Sequence, residues 1–168
     1  LIRFQLPENK MFRDMSRGTK MKLALAVALS HDPKLLLLDE ATSGLDPMIR
    51  DEMLDLFNEF TRDEDRTILI SSHIVSDLEK ICDYIAFLHK GKLLLCEEKD
   101  RLVEQYAVLK LGKQDLESLA PESVAGVREN KYGAEVLVYR DRIPSTFVTE
   151  HTSLEDIILF LAKGGARE

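Results

Sequence analysis

The spacing of apolar and polar positions changes period several times along this chain. Residues 20–30 (KMKLALAVALS) are rich in Leu and Ala and lack Gly and Pro, which predicts a helix packed on an apolar surface and stopped by Pro33. The continuous run LLLL at 35–38 predicts a strand covered on both faces, as in a parallel sheet. Asp46 is placed to cap a following helix whose first position is Pro47, and Ile49, Met53, Leu56, Phe57 and Phe60 recur at helical spacing. TILIS at 67–71 predicts a second strand and 74–81 a short helix. YIAFLH then leads through Lys90-Gly91 into KLLLC, the pattern of two strands joined by a tight turn. Together these elements predict the latter half of an open α/β sheet.

The texture changes after Glu97. AVLKL and AEVLVYR predict short strands separated by polar or Gly-containing connections around Pro121, Gly126 and Gly133. The last segment, SLEDIILFLAKGG, predicts an amphipathic helix capped by Ser153 and ended by Gly164. Glu155 and Asp156 stand at its positive end, and Leu154, Ile157, Ile158 and Leu161 form one face. Residues 1–96 therefore read as one portion and 97–168 as a small α+β appendage.

Composition narrows the function classes. The 168 residues are 45% hydrophobic and 32% charged, enough for one sizeable core and a small addition. The net charge of −7 disfavours a grip on nucleic acid, so no nucleic-acid partner is expected. Arg17, Lys20 and Lys22 form one short basic cluster, which also reads as the solvated first turn of a helix. Cys82 and Cys96 have neither C-x-x-C spacing nor a His cluster for zinc, and read as buried, reduced cysteines. No apolar run approaches the ~20 residues that span a bilayer. A cytosolic location is expected.

Candidate chemistry sits at the ends of the two predicted parallel strands, where α/β sheets place their ligands. Asp39 and Glu40 follow LLLL directly, and His73 follows ILISS. One carboxylate can hold Mg²⁺ while the other orients or deprotonates a water. An imidazole there can meet a phosphate oxygen through one nitrogen and a carboxylate through the other. Each residue alone has a plainer reading, the acids as turn caps and the histidine as a structural residue; their occurrence at corresponding strand ends favours the chemical one.

From Met15 to Cys96 the sequence resembles the nucleotide-binding subunit of ATP-binding cassette (ABC) transporters. LLLLDE is similar to the Walker B strand with its catalytic glutamate, ATSGLDP to the D-loop, SSH to the switch histidine, and MSRGTK stands where the signature does. The resemblance implies the C-terminal part of an ABC-type P-loop NTPase sheet with flanking helices. It implies Asp39 for Mg²⁺ through water, Glu40 for polarising the hydrolytic water, His73 as sensor of the γ-phosphate and Asp46 as a link across a dimer. Ser16 and Gly18 would bind the γ-phosphate of ATP held by the other subunit, at a helix N-terminus that favours an anion. It further implies a second nucleotide-binding domain, identical or not, a transmembrane permease as partner, and a place at the inner face of the cell membrane. SLEDIIL is similar to the end of exporter-type ATPases and implies export.

Two departures from the family pattern bear on mechanism. The signature LSGGQ is here Met15-Ser16-Arg17-Gly18-Thr19; Arg17 either adds positive charge near the phosphate or faces solvent. The Walker A pattern, Gly-x-x-x-x-Gly-Lys-Ser/Thr, does not occur, and Gln5 cannot be assigned to the Q-loop. The chain is therefore expected to be the C-terminal part of a longer ATP hydrolase and inactive alone. A soluble ABC-type ATPase acting on ribosomes or DNA is the alternative, although ATSGLDP is closer to transport subunits than the ribosome-associated PTNHLD. The segment 97–168 reads equally as a regulatory module or a packing extension. Without the loop that cradles phosphates, calorimetric titration of this chain with ATP should show no micromolar binding; a micromolar isotherm would overturn that expectation.

Overall fold

The computed structural model describes residues 4, 6–116, 118–129, 131, 133–150 and 152–163. Gln5 and Gly164 lie outside them. The chain divides into two compact units, Leu1–Ile81 and Cys82–Glu168.

The first unit is built on a βαβ pair. After the 3-10 turn Phe12–Asp14 come α1 (Arg17–Leu29), β1 (Leu35–Asp39), α2 (Pro47–Phe60), β2 (Thr67–Ser71) and α3 (Val75–Ile81). β1 and β2 run parallel, with Leu35 opposite Thr67 and Asp39 opposite Ser71. Helix α1 starts earlier than the Leu/Ala run suggests, because Ser16 caps it by accepting from the Thr19 amide. It also ends before Pro33. The Ser30 hydroxyl donates to the Val27 carbonyl at 2.7 Å and Asp32 turns left-handed at φ 54°, so the chain has left the helix before the proline is reached. Asp46 and Pro47 open α2 as expected, the Asp46 carboxylate accepting from the Ile49 amide.

The core of this unit joins Leu25 of α1, Leu36 of β1 and Met53, Leu54, Phe57 and Phe60 of α2, with Leu38, Ile68 and Ile70 packed against them. Fully burying a side chain such as Met53 or Phe57 contributes about 1.5–3 kcal/mol. The expectation that LLLL is covered on both faces is corrected. Leu36 is 4% exposed, but Leu35, Leu37 and Leu69 are 53%, 69% and 66% exposed. The reason is the alternation of side chains along a strand: Leu36 and Leu38 point into the core with α1 and α2, while Leu35 and Leu37 point the other way. Among the described residues, nothing buries that second face.

The second unit opens with a hairpin, β3 (Tyr84–His89) and β4 (Lys92–Glu98), joined through Lys90 and Gly91, both at positive φ. There follow α4 (Lys99–Gln105), β5 (Tyr106–Leu111), the short α5 (Lys113–Leu116), β6 (Val124–Glu129), β7 (Ala134–Tyr139) and α6 (Leu154–Lys163). The last three strands form an antiparallel sheet in the order β5-β7-β6. Gly126 lies inside β6, not in a connection. A Cβ there would come within 3.2 Å of the Phe160 carbonyl oxygen, so the missing side chain lets α6 lie close to the sheet. Ser153 caps α6 reciprocally: its hydroxyl accepts from the Asp156 amide while the Asp156 carboxylate accepts from the Ser153 amide. Leu154, Ile157 and Phe160 form the fully buried stripe, with Ile158 and Leu161 only half-buried.

The cysteines differ from expectation. Cys82 is half-buried, and burial pushes its thiol up. Cys96 is exposed on β4, among Leu93 and Leu94 that face solvent too. Both thiols are free.

Phe57 is the side chain through which α2 fills the first core, at 1% exposure. Phe57→Ala should lower stability by about 3–5 kcal/mol in urea unfolding; a loss below about 0.5 kcal/mol would mean that this interior is not closely packed.

Candidate functional site

Parallel pairing brings the ends of β1 and β2 to one edge, and the predicted residues meet there. Asp39 is the last residue of β1 and accepts from the Ser71 hydroxyl at the end of β2. Glu40 follows at φ 50°, a left-handed conformation unfavourable for a residue with a side chain. Its amide donates to the Ser71 carbonyl at 2.9 Å, which turns the chain sharply off the strand. The Glu40 carboxylate then takes His73 at two points: Oε2 lies 2.7 Å from the ring Nδ1, and Oε1 accepts from the His73 amide at 3.1 Å. Both side chains are open to solvent, Glu40 at 40% and His73 at 68% exposure. With Glu40 ionised, Nδ1 carries the proton, so a neutral ring offers Nε2 only as an acceptor.

Beneath this exposed pair lies a buried ionic hub that sequence reasoning missed. Asp77, in α3, is 1% exposed and accepts from the hydroxyl of fully buried Thr42 at 2.7 Å. Its other contacts come from Arg50 of α2, whose Nε donates at 2.8 Å and 3.0 Å to the two carboxylate oxygens and whose Nη2 donates at 2.5 Å. Arg50 also reaches the Ser76 hydroxyl at 3.1 Å. No buried side-chain polar atom is left without a partner among the described residues. The signal in the sequence is faint, since an acid in the first turn of a helix is what the helix dipole alone would favour.

A family profile described as "AAA domain, putative AbiEii toxin, Type IV TA system" matches residues 11–76. The ABC transporter ATP-binding protein YtrB of Bacillus subtilis (strain 168) is 36% identical over 109 residues, 65% of this chain and 37% of the relative. The lantibiotic transport ATP-binding protein SrtF of Streptococcus pyogenes is 41% identical over 93 residues, 55% of this chain and 40% of the relative. The chain is homologous to ABC transporter ATP-binding proteins. It spans about two fifths of the length of these two. A solved dimer of an ATP-binding cassette in a post-hydrolysis state, bound to ADP and Pi, has a similar fold, with a TM-score of 0.51 at 22% identity over 56% of this chain and 42% of that one.

In the ABC frame, the residues at the signature position form a second group, which shares no hydrogen bond with the first among the described residues. Ser16 is engaged as the cap of α1, its hydroxyl 2.8 Å from that of Thr19, the residue standing where the family has Gln. Gly18 is buried against α2: a Cβ there would come within 3.0 Å of Ile49. Arg17 is exposed, and its guanidinium lies over Gly44 in the D-loop segment, so closely that a Cβ on Gly44 would sit 2.7 Å from one of its nitrogens. Arg17 thus rests against the loop rather than standing free. Lys20 lies over the Phe12 ring and Lys22 pairs with Glu52, so the basic cluster is spread over separate partners. Asp46 is exposed and held as the α2 cap.

Asp77 depends on Arg50 for most of its charge-assisted hydrogen bonds. Arg50→Ala should destabilise the protein by about 3–5 kcal/mol, because a carboxylate is left buried with only Thr42, whereas removing the exposed Asp51–Lys80 pair by Lys80→Ala should cost under about 1 kcal/mol. Equal losses in denaturant unfolding would show that the hub carries no special weight.

Proposed function

We propose that this chain belongs to the ATP-binding subunit of an ABC transporter and contributes the water-activating edge of an ATP hydrolase. One observation carries the reading: Asp39, Glu40 and His73 converge on one sheet edge, with Glu40 and His73 2.7 Å apart. Homology to transporter ATP-binding proteins supports transport over action on ribosomes or DNA. Residues 97–168 would be an extension to the catalytic part.

The chemistry assigns distinct tasks. Asp39 supplies an exposed hard-oxygen donor, which suits Mg²⁺, an ion bound through one or two carboxylates with waters and substrate phosphates completing its shell. No group of three or more His, Cys, Asp or Glu among the described residues could hold a metal unaided, so the ion would arrive with the nucleotide. When bound, it would neutralise charge on the β- and γ-phosphates. Glu40 would orient and deprotonate the attacking water. His73, held by Glu40 through Nδ1, would donate from Nε2 to a γ-phosphate oxygen only when its ring carries both protons.

Ser16, Arg17 and Gly18 would serve nucleotide on a second subunit, with Asp46 near the shared boundary. The first-turn amides of Arg17 and Gly18 have no acceptor within α1, as at any helix start, and Arg17 adds a cation beside them. The partners would be a second nucleotide-binding domain and a transmembrane permease; no helix among the described residues is long and apolar enough to cross a membrane. The location would be cytoplasmic, at the inner face of the membrane, and the direction export, on the likeness of SLEDIIL to the end of exporter-type ATPases.

The test uses a subunit that carries both these residues and a phosphate-binding loop. Glu40→Gln should lower kcat for MgATP hydrolysis by about 100- to 10,000-fold while nucleotide binding persists; wild-type turnover in that variant would sink the assignment.

A further inference from the structure

The Glu40–His73 contact is exposed, and exposed pairs hold little order of their own. Glu40 also sits in a backbone conformation that side-chain-bearing residues avoid, so something must hold it there. Its anchor on the strand side is the bond from its amide to the Ser71 carbonyl. Its anchor on the loop side is Thr42, two residues on and fully buried, tied by its hydroxyl to Asp77. Asp77 in turn stands four residues beyond His73, in the first turn of α3. The Arg50 guanidinium fixes the plane of the carboxylate by reaching both oxygens.

We infer that Asp77 is a positioning residue for the reaction: through Thr42 it locks the Glu40 and His73 backbones at the separation that lets the carboxylate clasp the imidazole. This rests on the hydrolytic roles given above to Glu40 and His73. The Asp77 carboxylate touches neither water nor nucleotide in this scheme; it acts by joining the segment after β1 to the segment after β2. Through Thr42 the hub also reaches the loop just after Glu40, so it ties more than α2 to α3. Arg50 and α3 would suffice to bind α2 to α3.

The test reads the clasp directly, without nucleotide. Long-range ¹H–¹⁵N spectra of this chain at alkaline pH report which His73 nitrogen is protonated and whether it is hydrogen-bonded, with Glu40→Ala marking the released ring. Thr42→Val, which keeps the side chain's shape and removes only the hydroxyl, should move the His73 nitrogen shifts more than half-way to those of Glu40→Ala. Thr42→Ser, which restores the hydroxyl, should return them to the wild-type values. Asp77→Asn, which keeps one carbonyl acceptor for two partners, should fall between. If Thr42→Val lowers the melting temperature yet leaves the His73 signals at their wild-type positions, the hub is structural only and the inference is overturned. The same holds if Thr42→Ser behaves like Thr42→Val. A loss of this effect leaves the hydrolysis assay of Glu40→Gln untouched, and a failure of that assay leaves the nitrogen shifts as they are, so the two readings fail separately.

Discussion

The parallel pairing of β1 with β2 is the constraint from which the rest of the first unit follows. Strands that run the same way end at the same edge, so residues 34 positions apart in the chain, such as Asp39 and His73, become neighbours. An antiparallel pair would have sent them to opposite ends. The connection between the strands has to return to the start of the sheet, and α2 makes that return while burying Met53, Leu54, Phe57 and Phe60. Packing one face of the pair against α1 and α2 thus fixes the strand ends as a by-product of making a core.

Rigidity at the edge comes from a different source. Beyond Leu38 the loop keeps apolar contact with the core through Ala41 and Leu45, and directional bonds are added to it: Glu40 to the Ser71 carbonyl, Thr42 and Arg50 to Asp77. Burying a carboxylate costs free energy that only a full set of partners recovers, so Asp77 tolerates few arrangements of its neighbours. The side chains open to solvent, Asp39, Glu40 and His73, are therefore backed by Asp77, which is not.

The residues at the signature position show how a substitution is absorbed. Arg17 stands where LSGGQ has its first glycine, and its guanidinium lies over Gly44 in the facing loop, where a Cβ would come within 2.7 Å of it. Gly18, the glycine that remains, is needed for another reason, the close approach of α1 to Ile49. A residue expected for phosphate contact therefore also has a packing role, and its presence alone does not separate the two.

Much of this protein was legible in the chain itself. Periodicity located α2, both parallel strands, the hairpin turn and the capped terminal helix, because each rests on local rules of spacing, capping and turn conformation. The motif order located Asp39, Glu40 and His73. What the sequence could not display was any feature that depends on a partner distant in the chain. β6 was missed because Gly126 reads as a breaker until α6 is seen lying against it, and one face of LLLL proved open because coverage depends on how many layers surround a strand. Asp77 looked like an ordinary helix-start acid until folding buried it between Thr42 and Arg50. The sequence by itself determined which chemical groups leave the strand ends; tertiary structure alone decided how they are held, because burial and hydrogen-bond geometry are properties of contacts between segments and not of any one segment.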